Sequence, residues 1–154
     1  MTDGNPASES SGDLKSELLK QIPRLRGFAL VLCCNDRDQA NALARYVLER
    51  AVALKDGLAK LDPKYVEDWT LRATLCEWRR WRKRGHRPHA HDAFAAAVGS
   101  LPDFQLETLA VVRGLGLEYA SAAPLLRVAV GTVKSRIHRA NRTLMEMRGD
   151  ALTA

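Results

Sequence analysis

Residues 129–140 read AVGTVKSRIHRA, and their periodicity admits one kind of element. Val130, Val133, Ile137, Ala140, Leu144 and Met147 recur at spacings of three and four, so in a helix they form one inward stripe. Thr132, Ser135, Arg136, Arg139 and Arg142 fall on the other side. Small hydroxyl residues at a helix start, followed by arginines a turn apart, suit a DNA major groove. The slim end passes between the phosphate walls and the arginines reach base edges or phosphates. A solvated basic face on an ordinary surface helix would have the same pattern. The upstream residues favour DNA. ETLAVVRG (107–114) predicts a helix closed by a glycine, and YASAAPLL (119–126) predicts a short apolar helix. Residues 127–129 suffice for a tight turn between YASAAPLL and the basic helix. Helix, turn, helix is the plan in which one helix props the next against the groove. The three pieces predict a trihelical domain over 91–148.

The rest of the chain also reads as helix, so the expected class is all-α with two small domains. Residues 1–12 (MTDGNPASESSG) predict a disordered N-terminus, 13–84 a helical domain, 85–90 (GHRPHA) a linker and 149–154 a frayed tail. In the first domain, Leu14, Leu18, Ile22, Leu25, Ala29 and Leu32 mark one helix, with Pro23 a kink or a second start. Asn35-Asp36 breaks it. Ala40, Leu43, Val47, Ala51, Leu54 and Leu58 mark a second helix. Asp62-Pro63 supplies an N-cap and first-turn proline for a third, which carries Trp69, Trp78 and the cluster RRWRKR at 79–84. Trp69 and Trp78 are expected in the core. Cys33, Cys34 and Cys76 are odd in number and sit in apolar helical contexts, which predicts reduced core thiols.

Lysine and arginine total 24 against 18 acids, a surplus of +6 that suits a polyanionic partner. No apolar run approaches the ~20 residues of a membrane span, and the N-terminus lacks a signal-peptide core, so the expectation is a cytoplasmic protein without a membrane partner. Arg79, Arg80, Arg82, Lys83 and Arg84 around Trp81 could follow a DNA backbone with the indole stacked on a base, or could simply favour a helix C-terminus. His86, His89 and His91 lack a fourth ligand and a fixed frame, so no metal or other cofactor is expected. No serine elbow, phosphate-binding glycine loop or separated carboxylate pair is present, so no catalytic residue is expected and the chain is not read as an enzyme.

The stretch LPDFQLETLAVVRGLGLEYASAAPLLRVAVGTVKSRIHRANRTL closely resembles the promoter-reading region four of extracytoplasmic function (ECF) sigma factors. The resemblance implies that Thr132, Lys134, Ser135, Arg136, His138 and Arg139 read the minus-thirty-five element, with Arg142 on phosphate. Pro124 stands where that family usually has a helix former, which removes a hydrogen bond at a cost of roughly 3 kcal/mol if uncompensated. Arg127 stands where it usually has glycine; a left-handed non-glycine costs on the order of 1 kcal/mol.

IPRLRGFAL (22–30) resembles the start of ECF region two, the part that binds RNA polymerase and opens the minus-ten element. DRDQANALARYVLERAV (36–52) resembles its second helix. The implied polymerase or anti-sigma contacts are Asn41, Ala42, Arg45, Tyr46 and Glu49. Where the family typically carries an acidic pair followed by leucine, valine and glutamine, the matching stretch here is Asn41, Ala42, Leu43, Ala44 and Arg45; the lost acids and the glutamine-to-arginine change alter the charge of that face. Two functions follow from the resemblance. One is a sigma factor, with a general-stress type as one reading, that binds core RNA polymerase and promoter DNA and is restrained by an anti-sigma factor. The alternative is a sigma-like decoy or regulator that binds the anti-sigma factor without supporting initiation. A plain helix-turn-helix repressor is a third.

Overall fold

The structure, a computed structural model, describes residues 6–153, with side chains described from 13 to 149. All its regular elements are helices, and no strand occurs among the described residues. Helix α1 (Pro6–Leu32) packs against α2 (Arg37–Ala53) and α4 (Pro63–Lys83), with the single turn α3 (Lys55–Leu58) between them. The second half comprises α5 (Ala93–Gly99), α6 (Asp103–Leu109) extended by a π-turn over Ala110–Gly114, α7 (Tyr119–Leu126) and α8 (Val130–Thr153). The sequence pattern foretold the last three as helices, although α6 starts at Asp103 rather than at the expected Glu107; α5 is an additional short helix capped by Asp92, whose carboxylate accepts from Ala95 N–H at 2.7 Å.

The stripes of the first half are buried largely as expected. Leu14, Leu18, Leu25, Ala29 and Leu32 of α1 are inside, joined by Phe28. Pro23 lies exposed within α1, which runs on to Leu32, so it starts no second helix. Cys34 and Asn35 then turn left-handed (φ 49° and 65°), and Asn35 N–H closes the helix on Leu30 C=O at 2.8 Å. The stripe expected for a single second helix breaks at Leu54, beyond which Asp56-Gly57 is poor helix sequence; Leu54 is thereby exposed. Asp62 precedes Pro63 but makes no side-chain cap.

Four other expectations are corrected. Residues 1–5 lie outside the described residues, but 6–12 are helical rather than irregular: Pro6 has the fixed φ that a first turn requires. The tail expected over 149–154 is helical as far as Thr153. Cys76 is exposed, since α4 buries Thr74, Leu75, Glu77 and Trp78 and turns position 76 outward; Cys33 and Cys34 are buried, and all three thiols are free. Val130, in the first turn of α8, is also exposed.

One apolar cluster crosses both halves. Phe28, Leu32, Leu75 and Trp78 share it with Leu106, Val111, Ala122, Val133 and Ile137. Within the first half, Trp78 Nε1 donates to Leu32 C=O at 3.0 Å and ties α4 to the end of α1. A smaller cluster of Leu14, Leu18, Ala51, Leu58 and Val66 fills the far end. Gly114 lets α1 approach the π-turn: a Cβ there would meet Val31 Cγ2 at 3.1 Å. The segment joining the halves is tied down. Asp36 caps α2 through Gln39 N–H (3.2 Å) and also accepts from His89 N–H (2.8 Å), while Gln39 Nε2 donates to Arg87 C=O at 2.7 Å.

Candidate nucleic-acid interface

α8 is built as its pattern demands. Val133, Ile137 and Ala140 are buried against α6 and α7, and Leu144 and Met147 are half-buried. Lys134, Ser135, His138, Arg139 and Arg142 are exposed, and Thr132 and Arg136 are half-buried. The helix opens with Thr132 and Val133 N–H donating to Ala129 C=O, and alanine offers no side-chain cap to the first turn. Ser135 Oγ donates to Thr132 C=O at 3.1 Å, and Arg142 pairs with Glu146 at 3.2 Å on the open surface. The Arg136 guanidinium lies over the Phe104 ring, 5.2 Å from its centroid.

α7 and the turn set the tilt of α8. Pro124 is exposed inside α7, while Ala122, Ala123, Leu125 and Leu126 remain buried, so the lost hydrogen bond does not disturb the packed face. Arg127 is left-handed (φ 56°, ψ 45°), and Val128 N–H closes the turn on Ala123 C=O at 3.1 Å. The residue that replaces the family's glycine therefore does adopt glycine's conformation.

The cationic cluster at the end of α4 is mostly engaged internally. Arg79 grips Glu107 at two points, Nε to Oε2 at 2.8 Å and Nη2 to Oε1 at 3.0 Å. Arg82 donates to Asp103 Oδ1 from Nε and Nη2 at 3.0 and 2.8 Å and lies over the Trp78 ring. Arg80 pairs with Glu77 at 3.6 Å, and Trp81 Nε1 donates to the same carboxylate at 2.9 Å. Lys83 and Arg84 are exposed. Asp103, Phe104 and Glu107, all on α6, are the residues that sequence reasoning missed. Asp103 and Glu107 stand about one turn apart, as Arg79 and Arg82 do, but that spacing does not say that the two turns meet.

On α2, Asn41, Ala42, Arg45 and Glu49 are exposed on one outward face, with Tyr46 half-buried beside them; Ala40, Leu43, Ala44 and Val47 occupy the inward face. Arg50 reaches Tyr46 Oη at 3.4 Å. His86, His89 and His91 are exposed, with the last two rings edge to face at 5.1 Å. Among the described residues no group of three or more histidines, cysteines or acids is arranged to hold a metal ion, and no helix is long and apolar enough to cross a membrane.

Comparison with known proteins gives two relevant matches. The chain is 31% identical over 150 aligned residues to the ECF RNA polymerase sigma factor EcfG of Rhodopseudomonas palustris (strain TIE-1), covering 85% of this chain and 82% of that one. Its fold matches the sigma factor RpoE in a co-crystal structure with the anti-sigma factor NepR from Bartonella quintana. That match has TM-score 0.69 and 28% identity, over 89% of this chain and 97% of the other. No protein-family model matches.

Proposed function

This chain belongs to the ECF family of RNA polymerase sigma factors, and from that premise we propose that it binds core RNA polymerase and directs initiation at promoters whose upstream element α8 reads. The carrying observation is α8 itself. It presents Lys134, Ser135, His138 and Arg139 outward from an apolar back buried at Val133, Ile137 and Ala140, with α7 behind it and an uncapped first turn at its leading end. In this reading Arg136 and Arg139 reach base edges, and Arg142, already out in solvent, meets phosphate. Asn41, Ala42, Arg45, Tyr46 and Glu49 form the α2 face for polymerase or an anti-sigma factor. Lys83, Arg84 and the largely exposed Arg80 are the members of the α4 cluster available to DNA in this arrangement. The chain acts by binding and works in the cytoplasm, where its polymerase and promoter are. The anti-sigma factor bound to the Bartonella protein points to a similar partner here, and the general-stress type is the subclass we favour.

The outward placement of Ala42 and Arg45 favours a second reading. A face that lacks the family's acidic pair would dock poorly on polymerase and leave a decoy that occupies the anti-sigma factor. Pull-down with core polymerase followed by run-off transcription separates the two. Promoter-dependent transcript is expected. A folded protein that binds an anti-sigma factor but never core polymerase establishes the decoy.

A further inference from the structure

One edge of α6 holds cationic groups from both basic elements of the chain. Asp103 and Glu107 lie one turn apart and take Arg82 and Arg79 of α4, while Phe104 between them receives Arg136 of α8. These are three of the side chains expected to contact nucleic acid. The geometry imitates the expected ligand: two carboxylates sit on two arginines as phosphates would, and an aromatic ring lies under a guanidinium as a base would. The fit is incomplete. The Arg82 side chain is only 8% exposed, and its Nη1 is buried with no acceptor among the described residues. Asp103 meets it through a single oxygen.

We propose that the Asp103–Phe104–Glu107 edge of α6 is a built-in competitor for DNA, holding Arg79, Arg82 and Arg136 and keeping Arg79 and Arg82 off the phosphates of a duplex. The inference rests on the function proposed above in treating these arginines as DNA ligands. Its physical basis is competition: each arginine that engages a phosphate releases counterions from the duplex, and the α6 carboxylates deny the duplex that gain by pairing with Arg79 and Arg82 first. Arg79 and Arg82 reach Glu107 and Asp103 from the other half of the chain, so the clasp ties the two halves together as well as neutralising charge.

The test uses the full chain and a fluorescein-labelled duplex of arbitrary sequence, titrated by anisotropy over a range of salt concentrations. Asp103→Asn with Glu107→Gln should bind on the order of tenfold tighter at low salt. Its plot of log affinity against log salt should steepen by about two, one unit for each arginine newly on phosphate. Adding Arg79→Ala and Arg82→Ala to that variant should restore the original slope. Asp68→Asn with Glu118→Gln makes the same charge change at two exposed sites; it should tighten binding slightly without changing the slope. Circular dichroism verifies that each variant is folded. An unchanged slope in the folded Asp103/Glu107 variant, or equal steepening in the Asp68/Glu118 control, overturns the competitor. Steepening without any promoter-dependent transcript leaves the competitor standing and removes the sigma-factor function; transcript without steepening does the reverse.

Discussion

Arg79 and Glu107 join the two halves of the chain through a two-point ion pair in which the arginine is partly hydrated and the glutamate is not: their side chains are 43% and 9% exposed. The hydrogen bonds to Glu107 hold the Arg79 guanidinium more firmly protonated than usual, against the opposing effect of burial. The asymmetry predicts unequal mutants. Arg79→Ala strands a buried carboxylate and should cost about 2–4 kcal/mol, whereas Glu107→Gln leaves a guanidinium that water can reach and should cost about 1 kcal/mol. Arg79→Lys keeps the charge but loses the fork and should fall between. Urea denaturation measures all three; equal losses for Ala and Lys would mean that the charge contributes nothing.

Arg127 carries the left-handed turn between α7 and α8 with its side chain in solvent. Arg127→Gly removes the Cβ strain but gives the unfolded chain more freedom, so the net gain should be about 0.5–1 kcal/mol. Arg127→Val should lose stability. A rise in Tm for Gly with a fall for Val is the expected pattern, and no rise for Gly removes the claim of strain.

Asp36 is the one carboxylate that both caps α2 and holds the joining segment. Burial alone would raise its pKa, but hydrogen bonds from the His89, Gln39 and Asp38 N–H groups, with a smaller contribution from His91, outweigh burial and lower it. A depressed carboxylate stabilises the fold above its unfolded pKa of about 4, and the contribution disappears as pH falls through the lower folded value. Asp36→Asn should therefore be less stable near neutrality and lose less on acidification. Parallel denaturation curves from neutral pH to pH about 2 for the two proteins would contradict this.

Thiol chemistry should separate the cysteines. Burial pushes Cys33 up to about 12 and Cys34 up to about 11, while Cys76 lies exposed on α4. Maleimide should modify one thiol quickly and the other two only after denaturant is added. Rapid modification of all three, counted by mass spectrometry, would show that the α1–α2 turn opens readily.

On DNA, Arg136→Ala should weaken binding to the cognate promoter by about 1–3 kcal/mol and spare scrambled sequence, because a base reader carries specificity. Arg142→Ala should weaken both alike and lower the salt slope by about one. Equal loss for Arg136→Ala on both sequences would move that residue to the phosphates.

Much of the fold could be read from local pattern. The α8 stripe, the α7–α8 turn and the inward faces of α1 and α2 follow from a repeat of three and four, because a helix places neighbours in sequence on one face whatever surrounds it. The same logic placed Ser135, Arg139 and Arg142 outward, while Thr132 and Arg136, expected beside them, are half-buried. It failed where a boundary depended on weak signals, as at Leu54, or where one residue's side of a helix depended on what packs nearby, as at Cys76.

By itself, the sequence determined the helical class, the family and the two faces of α8, all of which are short-range properties. Tertiary structure alone decided what the basic cluster does. Arg79 and Arg82 look identical in sequence to the exposed Lys83 and Arg84, yet they meet Glu107 and Asp103 through contacts between residues 28 and 21 positions apart. Asp36 likewise meets His89 from 53 positions away. Such pairings depend on which helices the shared core brings side by side, and no local periodicity encodes that choice.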